Sequence, residues 1–501
     1  MILHNFLYYL LGSRNPGDSH LLAISLGTEP EGITFFETSD GMGFIVALLE
    51  RASLGVLYQV NATDSSAEDP VFYQVVPTLV GPEGVKKIPG KDAFVIACEV
   101  DERDNKMRAG IVIYEYQDAD MPAYPFIYSM DVNGLPIPFS ALSGLASADP
   151  LGFPEDSMMR RRAAGHSGDV FSIEDSAFKK SRFFRIDADA RPAIVESATR
   201  IMDSNDILSA AFNPDDFEGY VMVNDDKTVN IDPEGIALSH TGSLWIANEG
   251  RGTVGDADRP IETRNFIIKV AADSGVIEEL VTLPDEVNDI QVRFGFEGVA
   301  EQGDYLVVVI QRAWGEEENP RVGIYNTQDK TWKFVFYPLD ERESQNGGWV
   351  GLSDIAPLGD GKFLVLERDN QGGPDAAIKR LYGIDLGDFS LEEGSVLGKA
   401  LVRDLVPDVQ AVTGFTYEKL EGLAVNKAGY VFFNNDNDGV DDNSGEQVII
   451  ELSPDDVDFD FSVNNTAPEE GDDDDGTSAA GIKSVVGAFM ALAAVAGIVI
   501  M

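Results

Sequence analysis

Short apolar runs alternate with turns rich in glycine, aspartate and asparagine along most of the chain. In the clearest stretch, residues 236–238, 243–247 and 266–270 form three such runs separated by turn residues. Runs rich in β-branched and aromatic residues, bounded by glycine and polar turns, are typical of antiparallel strands. No helical periodicity of useful length lies between them. The pattern therefore predicts an all-β chain.

The runs are organised in seven similar units. A unit opens with an acidic residue, a glycine and an aliphatic residue, or a variant of these, and a later apolar run ends in an acidic or amide residue. The openings are Glu31-Gly32-Ile33, Glu83-Gly84-Val85, Ser143-Gly144-Leu145, Glu234-Gly235-Ile236, Glu297-Gly298-Val299, Leu352-Ser353-Asp354-Ile355 and Glu421-Gly422-Leu423. Repeated sets of strands at such spacing indicate a propeller. We expect a β-propeller of seven four-stranded blades, with a C-terminal acidic stalk and an apolar tail.

The composition divides the chain into five regions. We expect an N-terminal segment with the character of a poor or truncated signal peptide at 1–19, propeller repeats at 20–140 and the main propeller region at 141–453. An acidic, disordered stalk follows at 454–481 and an apolar membrane tail or lipid-anchor signal at 482–501. The tail is short for a membrane-spanning helix. Two interpretations stay open: a GPI signal with Ser478 as the attachment residue, or a retained tail-anchor helix. Both predict a membrane-anchored protein at the cell surface.

The charge is strongly one-sided, with 86 acidic against 37 basic residues and a formal net charge of −49. Such a surface repels nucleic acid and anionic lipid, so we expect no nucleic-acid partner. It suits cations instead. The single cysteine, Cys98, lies in an apolar run and excludes an internal disulfide, so the core alone must hold the fold.

The acidic residues that open the units predict a carboxylate ring. In a propeller the innermost strands line a central channel, and glycine there permits close backbone approach. The ring would consist of Glu31, Glu83, Glu234, Glu297, Asp354 and Glu421. Carboxylates that face one small volume need a hard cation such as Ca²⁺, or arginine partners, to stay ionised together. Two interpretations stay open at this point: inter-blade ion pairs with a purely structural role, or a pocket for a phosphate or carboxylate ester.

Arginines close to the ends of the apolar runs supply the second part of this hypothesis. Arg251, Arg312 and Arg368 stand at those positions and would bind an anionic substrate, because the guanidinium group matches phosphate and carboxylate geometry. A metal-bound water would attack the ester. A separate acidic loop contains Asp436 and Asp438, whose alternating oxygen ligands make it a second candidate Ca²⁺ site beside the interpretation as a plain acidic turn.

Taken in combination and order, several of these segments resemble the phytase-like family, also described as the family with esterase-like activity of phytase. The resemblance runs from about Ser143 to Leu452. It rests on residues 141–145, 232–236, 295–299, 351–355, 364–369 and 419–423. It implies a β-propeller and hydrolysis of a phosphoester or a related ester, but no catalytic set. Ser143 and Gln311 depart from the acidic pattern of the other units.

The sequence thus predicts a membrane-anchored extracellular hydrolase of a small anionic ester, assisted by Ca²⁺. The alternative is a non-catalytic propeller that binds a cell-surface ligand. The two differ in whether the carboxylates and arginines meet at one site.

Overall fold

The computed structural model describes residues 30–468, apart from 51–52, 61–69, 102–108, 118–123, 133–134, 154–167, 177, 218 and 438–446. Each of the seven sequence units forms one antiparallel sheet, as the strand pattern predicts. Within the described residues, no helix is both long and apolar enough to cross a bilayer. The expected N-terminal segment at 1–19 and the tail at 482–501 lie outside the described residues.

The first two units form sheets A and B. Sheet A contains β1 (Pro30–Glu37), β2 (Gly43–Leu49), β3 (Leu54–Val60) and β4 (Val71–Pro77), and sheet B contains β5 (Pro82–Lys87), β6 (Ala93–Cys98) and β7 (Gly110–Glu115). A short segment follows with β8 (Ile127–Ser129), β9 (Asp131–Val132) and β10 (Leu135–Pro136).

The other five units form blades 1 to 5, each starting from its innermost strand. Blade 1 contains β11 (Leu142–Ser147), β12 (Asp169–Glu174), β13 (Arg182–Asp187) and β14 (Ala193–Arg200); blade 2 contains β15 (Pro233–Leu238), β16 (Leu244–Asn248), β17 (Phe266–Val270) and β18 (Ile277–Thr282); blade 3 contains β19 (Phe296–Gln302), β20 (Tyr305–Ile310), β21 (Arg321–Asn326) and β22 (Thr331–Phe336). Blade 4 contains β23 (Val350–Gly359), β24 (Lys362–Asp369), β25 (Lys379–Asp385) and β26 (Ala400–Asp404), and blade 5 contains β27 (Leu420–Val425), β28 (Val431–Asn435) and β29 (Ile449–Leu452).

Helix is confined to connections. Three short helices, α1 (Ile207–Ala211), α2 (Asp285–Asn288) and α3 (Val406–Thr413), and two 3₁₀ turns, Pro214–Asp216 and Gly373–Asp375, link the described strands. The all-β propeller predicted from the strand pattern is therefore confirmed.

Five blades close the ring, rather than the seven expected. The innermost strands contact one another in the order β11, β15, β19, β23 and β27, and β27 returns to β11. The segment that connects sheet B to blade 1 is bonded to the last and the first blade on the outer side of the ring. The N–H of Ile449 in blade 5 donates to the carbonyl of Pro125 (2.9 Å), while β8 pairs in parallel with β14 of blade 1. One stretch of chain is thus bonded to both the last blade and the first.

Sheets A and B pack on each other outside the ring. Phe36 of sheet A and Phe94 of sheet B share one buried cluster, with ring centroids 5.4 Å apart. Cys98 is buried in the same cluster, as its apolar run predicts. The other face of sheet A carries Tyr58, which lies in the core formed by blades 4 and 5.

Sheet B has a free outer face in the part of the chain that is described. Ile111 and Ile113 on β7 are 65 % and 58 % exposed, and no further sheet covers them. The first two units therefore behave as a pair of adjacent blades that ends after the second one. Their sequence carries the same opening motif as the ring units, which is why the strand pattern alone gives seven.

Residues 454–468 belong to the stretch expected to be a disordered stalk, and they pack along blade 4. Val457 is buried. Thr466 and Val396 exchange backbone hydrogen bonds of 2.8 Å in both directions, and the Asn465 side chain donates to the carbonyl of Asp385. The first part of this acidic stretch is thus an ordered edge of the propeller.

Candidate functional site

The opening motif of each unit coincides with a β-bulge. In all seven innermost strands the pairing register shifts at this motif, for example between Pro233 and Gly235 in blade 2. A bulge bends a strand and redirects a side chain. In the ring the five redirected positions hold Ser143, Glu234, Glu297, Ser353 and Glu421. Their side chains meet at one end of the channel.

The glycine of the motif marks the contact between neighbouring blades. A Cβ atom on Gly235 would lie 2.1 Å from the carbonyl oxygen of Glu297, and one on Gly144 would lie 2.5 Å from that of Glu234. Real Cβ atoms do not approach so closely, so only glycine fits. In the sheet pair, a Cβ on Gly32 would likewise meet the carbonyl of Glu83 at 2.8 Å, but one on Gly84 would meet only Ala97 of its own sheet.

A second layer of side chains surrounds the first. Because β-strands one and two of a blade run antiparallel, the end of the second strand returns to the start of the first. The backbone N–H groups of Asp175, Glu249, Gln311 and Asp436 each donate to a carbonyl just before an innermost strand, at 2.8–3.0 Å. The residues that end the apolar runs therefore stand beside the residues that open the units.

One side of the resulting basin is acidic. Oxygen atoms of Asp175, Asp232 and Glu234, from blades 1 and 2, all lie within 4.8 Å of one another. Burial, reinforced by the neighbouring carboxylates, raises the pKa of Asp175 and of Glu234 well above the ordinary range. Such a group of hard oxygen donors is one that a divalent cation would stabilise in the ionised form.

Glu249 lies next to this group. Its Oε1 accepts a 2.8 Å hydrogen bond from the N–H of Gly295. Burial, followed by the Asp232 carboxylate, raises the pKa of Glu249 to about 7. A carboxyl group with that pKa changes its protonation state near neutral pH, which is what a general base or acid needs.

The opposite side of the basin, from blades 3 to 5, combines acids with cations. Arg368, which is 2 % exposed, donates through Nε to Ser353 Oγ (3.0 Å) and through Nη2 to Glu421. Gln311 donates to Glu297. Burial and the Glu421 carboxylate raise the pKa of Glu297 well above its ordinary value.

Several buried polar atoms of this side lack a hydrogen-bond partner among the described residues. They are Arg368 Nη1, Glu421 Oε2 and Gln311 Oε1. Buried donors and acceptors are normally paired, because leaving one unpaired is costly. Unpaired atoms in this basin are consistent with a site that a ligand or water completes.

The three arginines predicted to bind substrate all lie near this basin. Arg251 donates through Nε to Asp232 at 3.0 Å and lies over the ring of Tyr220. Arg368 is paired as described above. Arg312 lies against the rings of Phe294 and Trp349, with its Cζ 4.8 and 5.0 Å from their centroids.

The predicted six-carboxylate ring is brought together only in part. Glu234, Glu297 and Glu421 meet as expected. Glu31 and Glu83 do not reach the ring, because their sheets stack outside it. Glu83 lies instead near Glu50 and Glu99.

Asp354 occupies the glycine position of its unit rather than the acidic one. Its carboxylate accepts hydrogen bonds from the N–H groups of Leu145 (3.2 Å), Ile355 (2.8 Å) and Leu423 (2.7 Å). Three backbone donors engage this fully buried group, so it closes the channel between the blades and is not available as a ligand of the basin. Burial raises its pKa well above the ordinary value.

The two candidate calcium ligands of the acidic loop have different outcomes. Asp436 is buried and lies 3.6 Å from the Nζ of Lys419 at the edge of the basin. Asp438 lies outside the described residues. The loop as a whole therefore stays a prediction.

The sequence interpretation missed Asp175, Asp232, Glu249 and Lys419 as members of the site. A signal for them was present. Asp175 and Glu249 end apolar runs, and antiparallel pairing brings the end of the second strand beside the start of the first. Asp232 stands two residues before Glu234. Pairing the two halves of each unit would have placed the run ends beside the ring.

Among the described residues, the far end of the channel offers no comparable chemistry. It is a narrow cleft with mostly apolar lining residues such as Ile236, Val299 and Ala424. Its acidic residue, Glu301, is 3 % exposed and is held by the backbone N–H of His240 and by the Trp245 indole. The chemically equipped end is the one where the units open.

Comparison with known proteins identifies the family of this chain but not its substrate. No curated protein matches the chain. Among solved structures, hydrazine synthase of Kuenenia stuttgartiensis is 12 % identical, with 84 % of this chain and 95 % of that chain covered and a TM-score of 0.28. A functionally unknown protein from Desulfotomaculum acetoxidans DSM 771 is 14 % identical, with 74 % and 88 % covered and a TM-score of 0.26. Likeness at this level carries no conclusion about activity.

A family model gives the decisive match. The model described as "Phytase-like: Esterase-like activity of phytase" matches residues 157–439, which is more than half of the 501-residue chain. The matched range falls within the five-bladed ring and includes the acidic side, the paired arginines and the rings of Phe294 and Trp349 beside Arg312. The chain therefore belongs to the phytase-like family.

Proposed function

We propose that this protein hydrolyses a phosphoester or a related anionic ester in the basin where the ring units open. The observation that carries the proposal is the convergence of Asp175, Asp232 and Glu234 within 4.8 Å, opposite a side that holds buried Arg368. Negative ligands for a cation and positive groups for an anion thus share one basin. The family description, esterase-like activity, supports the same reaction class.

Calcium is the cation that the donor set fits best. Asp175, Asp232 and Glu234 provide carboxylate oxygens, which are the ligands that Ca²⁺ prefers. They lie close enough together to share one ion, and their mutual repulsion would be relieved by it. A bound Ca²⁺ would supply positive charge to polarise the ester and to activate water. Because the three carboxylates come from two blades, the ion would also tie blade 1 to blade 2.

The surrounding residues have definable tasks. Glu249, with a pKa of about 7, accepts a proton from water and later returns it to the leaving group. The backbone N–H of Gly295 donates to Oε1 of Glu249, and a backbone bond from Phe294 also holds this carboxyl group in the basin. Arg368 and Lys419 provide positive charge that stabilises negative charge developing on the substrate. Arg251 holds Asp232 in position through its Nε.

A turnover assay with matched variants tests the proposal. The purified protein is incubated with phytate, p-nitrophenyl phosphate and p-nitrophenyl esters, with Ca²⁺ or with a chelator. We expect hydrolysis that requires Ca²⁺, and loss of at least about 100-fold in Glu234→Gln and Asp232→Asn, a typical cost of removing a group that stabilises the transition state.

Glu83→Gln is the matched control, because Glu83 occupies the same motif position in the sheet pair outside the ring. It should keep wild-type turnover. No turnover on any substrate would remove the hydrolase proposal. Calcium-dependent stabilisation without turnover would instead favour the alternative, a non-catalytic propeller that binds a cell-surface ligand.

A membrane-anchored, extracellular location is part of the same proposal. The apolar stretch at 482–501 after an acidic segment supports it, with a GPI signal or a retained helix as the two forms of anchor. Expression of the full chain followed by phosphatidylinositol-specific phospholipase C distinguishes them. Release from cells indicates a GPI group, retention with the membrane indicates a helix, and recovery in the cytosol would contradict both.

A further inference from the structure

Arg312 is a half-buried cation without an acidic partner. It makes no hydrogen bond or ion pair through its side chain with any described residue. Its guanidinium lies against Phe294 and Trp349 instead. The removal of Arg312 from water, with no carboxylate beside it, lowers its pKa below the ordinary value.

This situation is unusual for this chain, which has 86 acidic residues for 37 basic ones. The other two arginines of the basin are neutralised: Arg251 by Asp232 and Arg368 by Glu421. An arginine partly withdrawn from water usually has an anion nearby, because its desolvation is otherwise uncompensated. At Arg312 the protein itself supplies none in the described part of the chain.

The rings of Phe294 and Trp349 form an aromatic wall beside Arg312. The rings of Phe294 and Trp349 lie 5.5 Å apart, and Trp349 also lies 5.4 Å from the Cζ of Arg368. Phe294 adopts φ of 74°, in the left-handed region that favours glycine. Its carbonyl accepts the indole N–H of Trp314 at 3.1 Å, which holds this conformation. Residues held in such sparsely populated backbone regions cluster at active sites and ligand-binding sites.

The wall is connected to the reactive part of the basin by adjacent residues. Gly295, next to Phe294, donates to Glu249. Gln311, next to Arg312, donates to Glu297. The Trp349 ring gives the direct geometric link, because it lies 5.0 Å from the Cζ of Arg312 and 5.4 Å from the Cζ of Arg368. The Arg312 guanidinium therefore lies one aromatic ring away from the buried cation of the basin.

We propose that Arg312, backed by Phe294 and Trp349, is a specificity subsite for a second anionic group, a carboxylate or a phosphate, that the substrate carries next to its scissile ester. A guanidinium held by aromatic faces presents its N–H groups as a flat fork, which matches a carboxylate or phosphate with two parallel hydrogen bonds. The inference rests on the proposed hydrolase function and names its substrate class: esters with an additional negative charge.

A pair of substrates with the same leaving group tests the subsite. p-Nitrophenyl acetate has a neutral acyl group, and p-nitrophenyl hemisuccinate adds a carboxylate. We expect the wild type to prefer the hemisuccinate, and Arg312→Gln to lower the ratio of the two kcat/KM values by about 10- to 100-fold, the effect typical of a hydrogen-bonded charge. Arg312→Lys should restore part of the ratio, because it keeps the charge and loses the fork. Arg200→Gln, which removes an exposed arginine on β14, is the control and should keep the wild-type ratio.

A binding measurement separates this inference from the hydrolase proposal. Phenylphosphonate is not hydrolysed, and its binding is followed by tryptophan fluorescence, with Trp349→Phe to assign the signal. Arg312→Gln should weaken its binding by about tenfold or more, with an unchanged melting temperature. Equal affinity in the wild type and Arg312→Gln, or an unchanged substrate ratio, would overturn the subsite. If no ester is hydrolysed at all, the hydrolase proposal fails, while the phenylphosphonate result still decides whether Arg312 binds anions.

Discussion

The Oδ2 atom of Asp354 accepts a 2.7 Å hydrogen bond from the backbone N–H of Leu423, so a side chain of blade 4 is bonded to the innermost strand of blade 5. The same atom accepts a bond from Leu145 of blade 1. One carboxylate thus joins three of the five blades near the channel axis.

Replacing Asp354 should weaken the ring itself. In Asp354→Ala, the N–H groups of Leu145, Ile355 and Leu423 lose their acceptor inside the protein. We expect a loss of about 3 kcal/mol or more in the free energy of unfolding, because each buried unpaired donor costs about 1–3 kcal/mol. Urea denaturation measures it. Asp354→Asn keeps one acceptor oxygen and should lie between the two, and an alanine variant as stable as the wild type would contradict the axial role.

The glycine of the motif should matter only where a further blade follows. A Cβ on Gly235 would lie 2.1 Å from a backbone oxygen, whereas one on Gly84 would have 3.9 Å of space. We expect Gly235→Ala to destabilise by about 2–4 kcal/mol, a cost in the range of overpacked cores and lost inter-strand contacts. Gly84→Ala should stay within about 0.5 kcal/mol, as is usual for exposed positions.

These two variants are a matched pair, since both lie in the same motif of the same chain. Thermal unfolding of each reads the difference directly. Equal losses in both would mean that the motif glycine serves the bulge itself rather than the contact between blades.

The same pair explains how far the sequence determines the fold. Strand positions were predictable, because they follow from alternating apolar runs and turns that each unit carries within itself. The number of blades in the ring was not, since Gly84 and Gly235 stand in identical motifs and differ only in what packs against them. The sequence of a single unit does not show which other units pack against it, so it does not determine the number of blades in the ring.

The site was likewise predictable only where it follows from the sequence of single units. Glu234, Glu297 and Glu421 were expected together because they share one motif position. Asp354 was assigned to that position by its charge, although it follows Ser353 and so takes the place of glycine. A shift of one residue along a strand changes the side of the strand that a side chain faces. Asp175 and Glu249 were missed because their proximity to the ring depends on the pairing of two strands.

Removing one partner of the buried ion pair between Arg368 and Glu421 should lower the free energy of unfolding more than replacing both partners. Both side chains are 5 % exposed or less. We expect Arg368→Met and Glu421→Leu each to lose about 3–5 kcal/mol, because each leaves an uncompensated buried charge. The double variant should lose less than the sum, since neither charge remains. Urea denaturation of all four proteins forms a double-mutant cycle, and additive losses would show that the two residues do not interact.

A rise in pH should destabilise the cation-free protein, and bound Ca²⁺ should stabilise it. Burial raises the pKa of Glu249 to about 7 and those of Asp175, Glu234 and Glu297 in the same direction. Without a cation, the folded protein therefore holds more protons than the unfolded chain between the ordinary Glu value of 4.5 and about 7. Stability falls with rising pH wherever the folded state binds more protons. The melting temperature of the cation-free protein should thus decrease between pH 5 and pH 8.

Added Ca²⁺ should reverse this decrease, since it takes the place of the protons that the carboxylates lose. Its stabilising effect depends on affinity for the folded state, and that affinity rises as the ligands deprotonate. We expect the increase in melting temperature on adding Ca²⁺ to be larger at pH 8 than at pH 5.5, and to be much reduced in Glu234→Gln at both values. Differential scanning fluorimetry at matched ionic strength measures it, with Mg²⁺ as a test of cation size. An equal shift at both pH values would mean that Ca²⁺ binds to carboxylates elsewhere, with ordinary pKa values, and not to Asp175, Asp232 and Glu234.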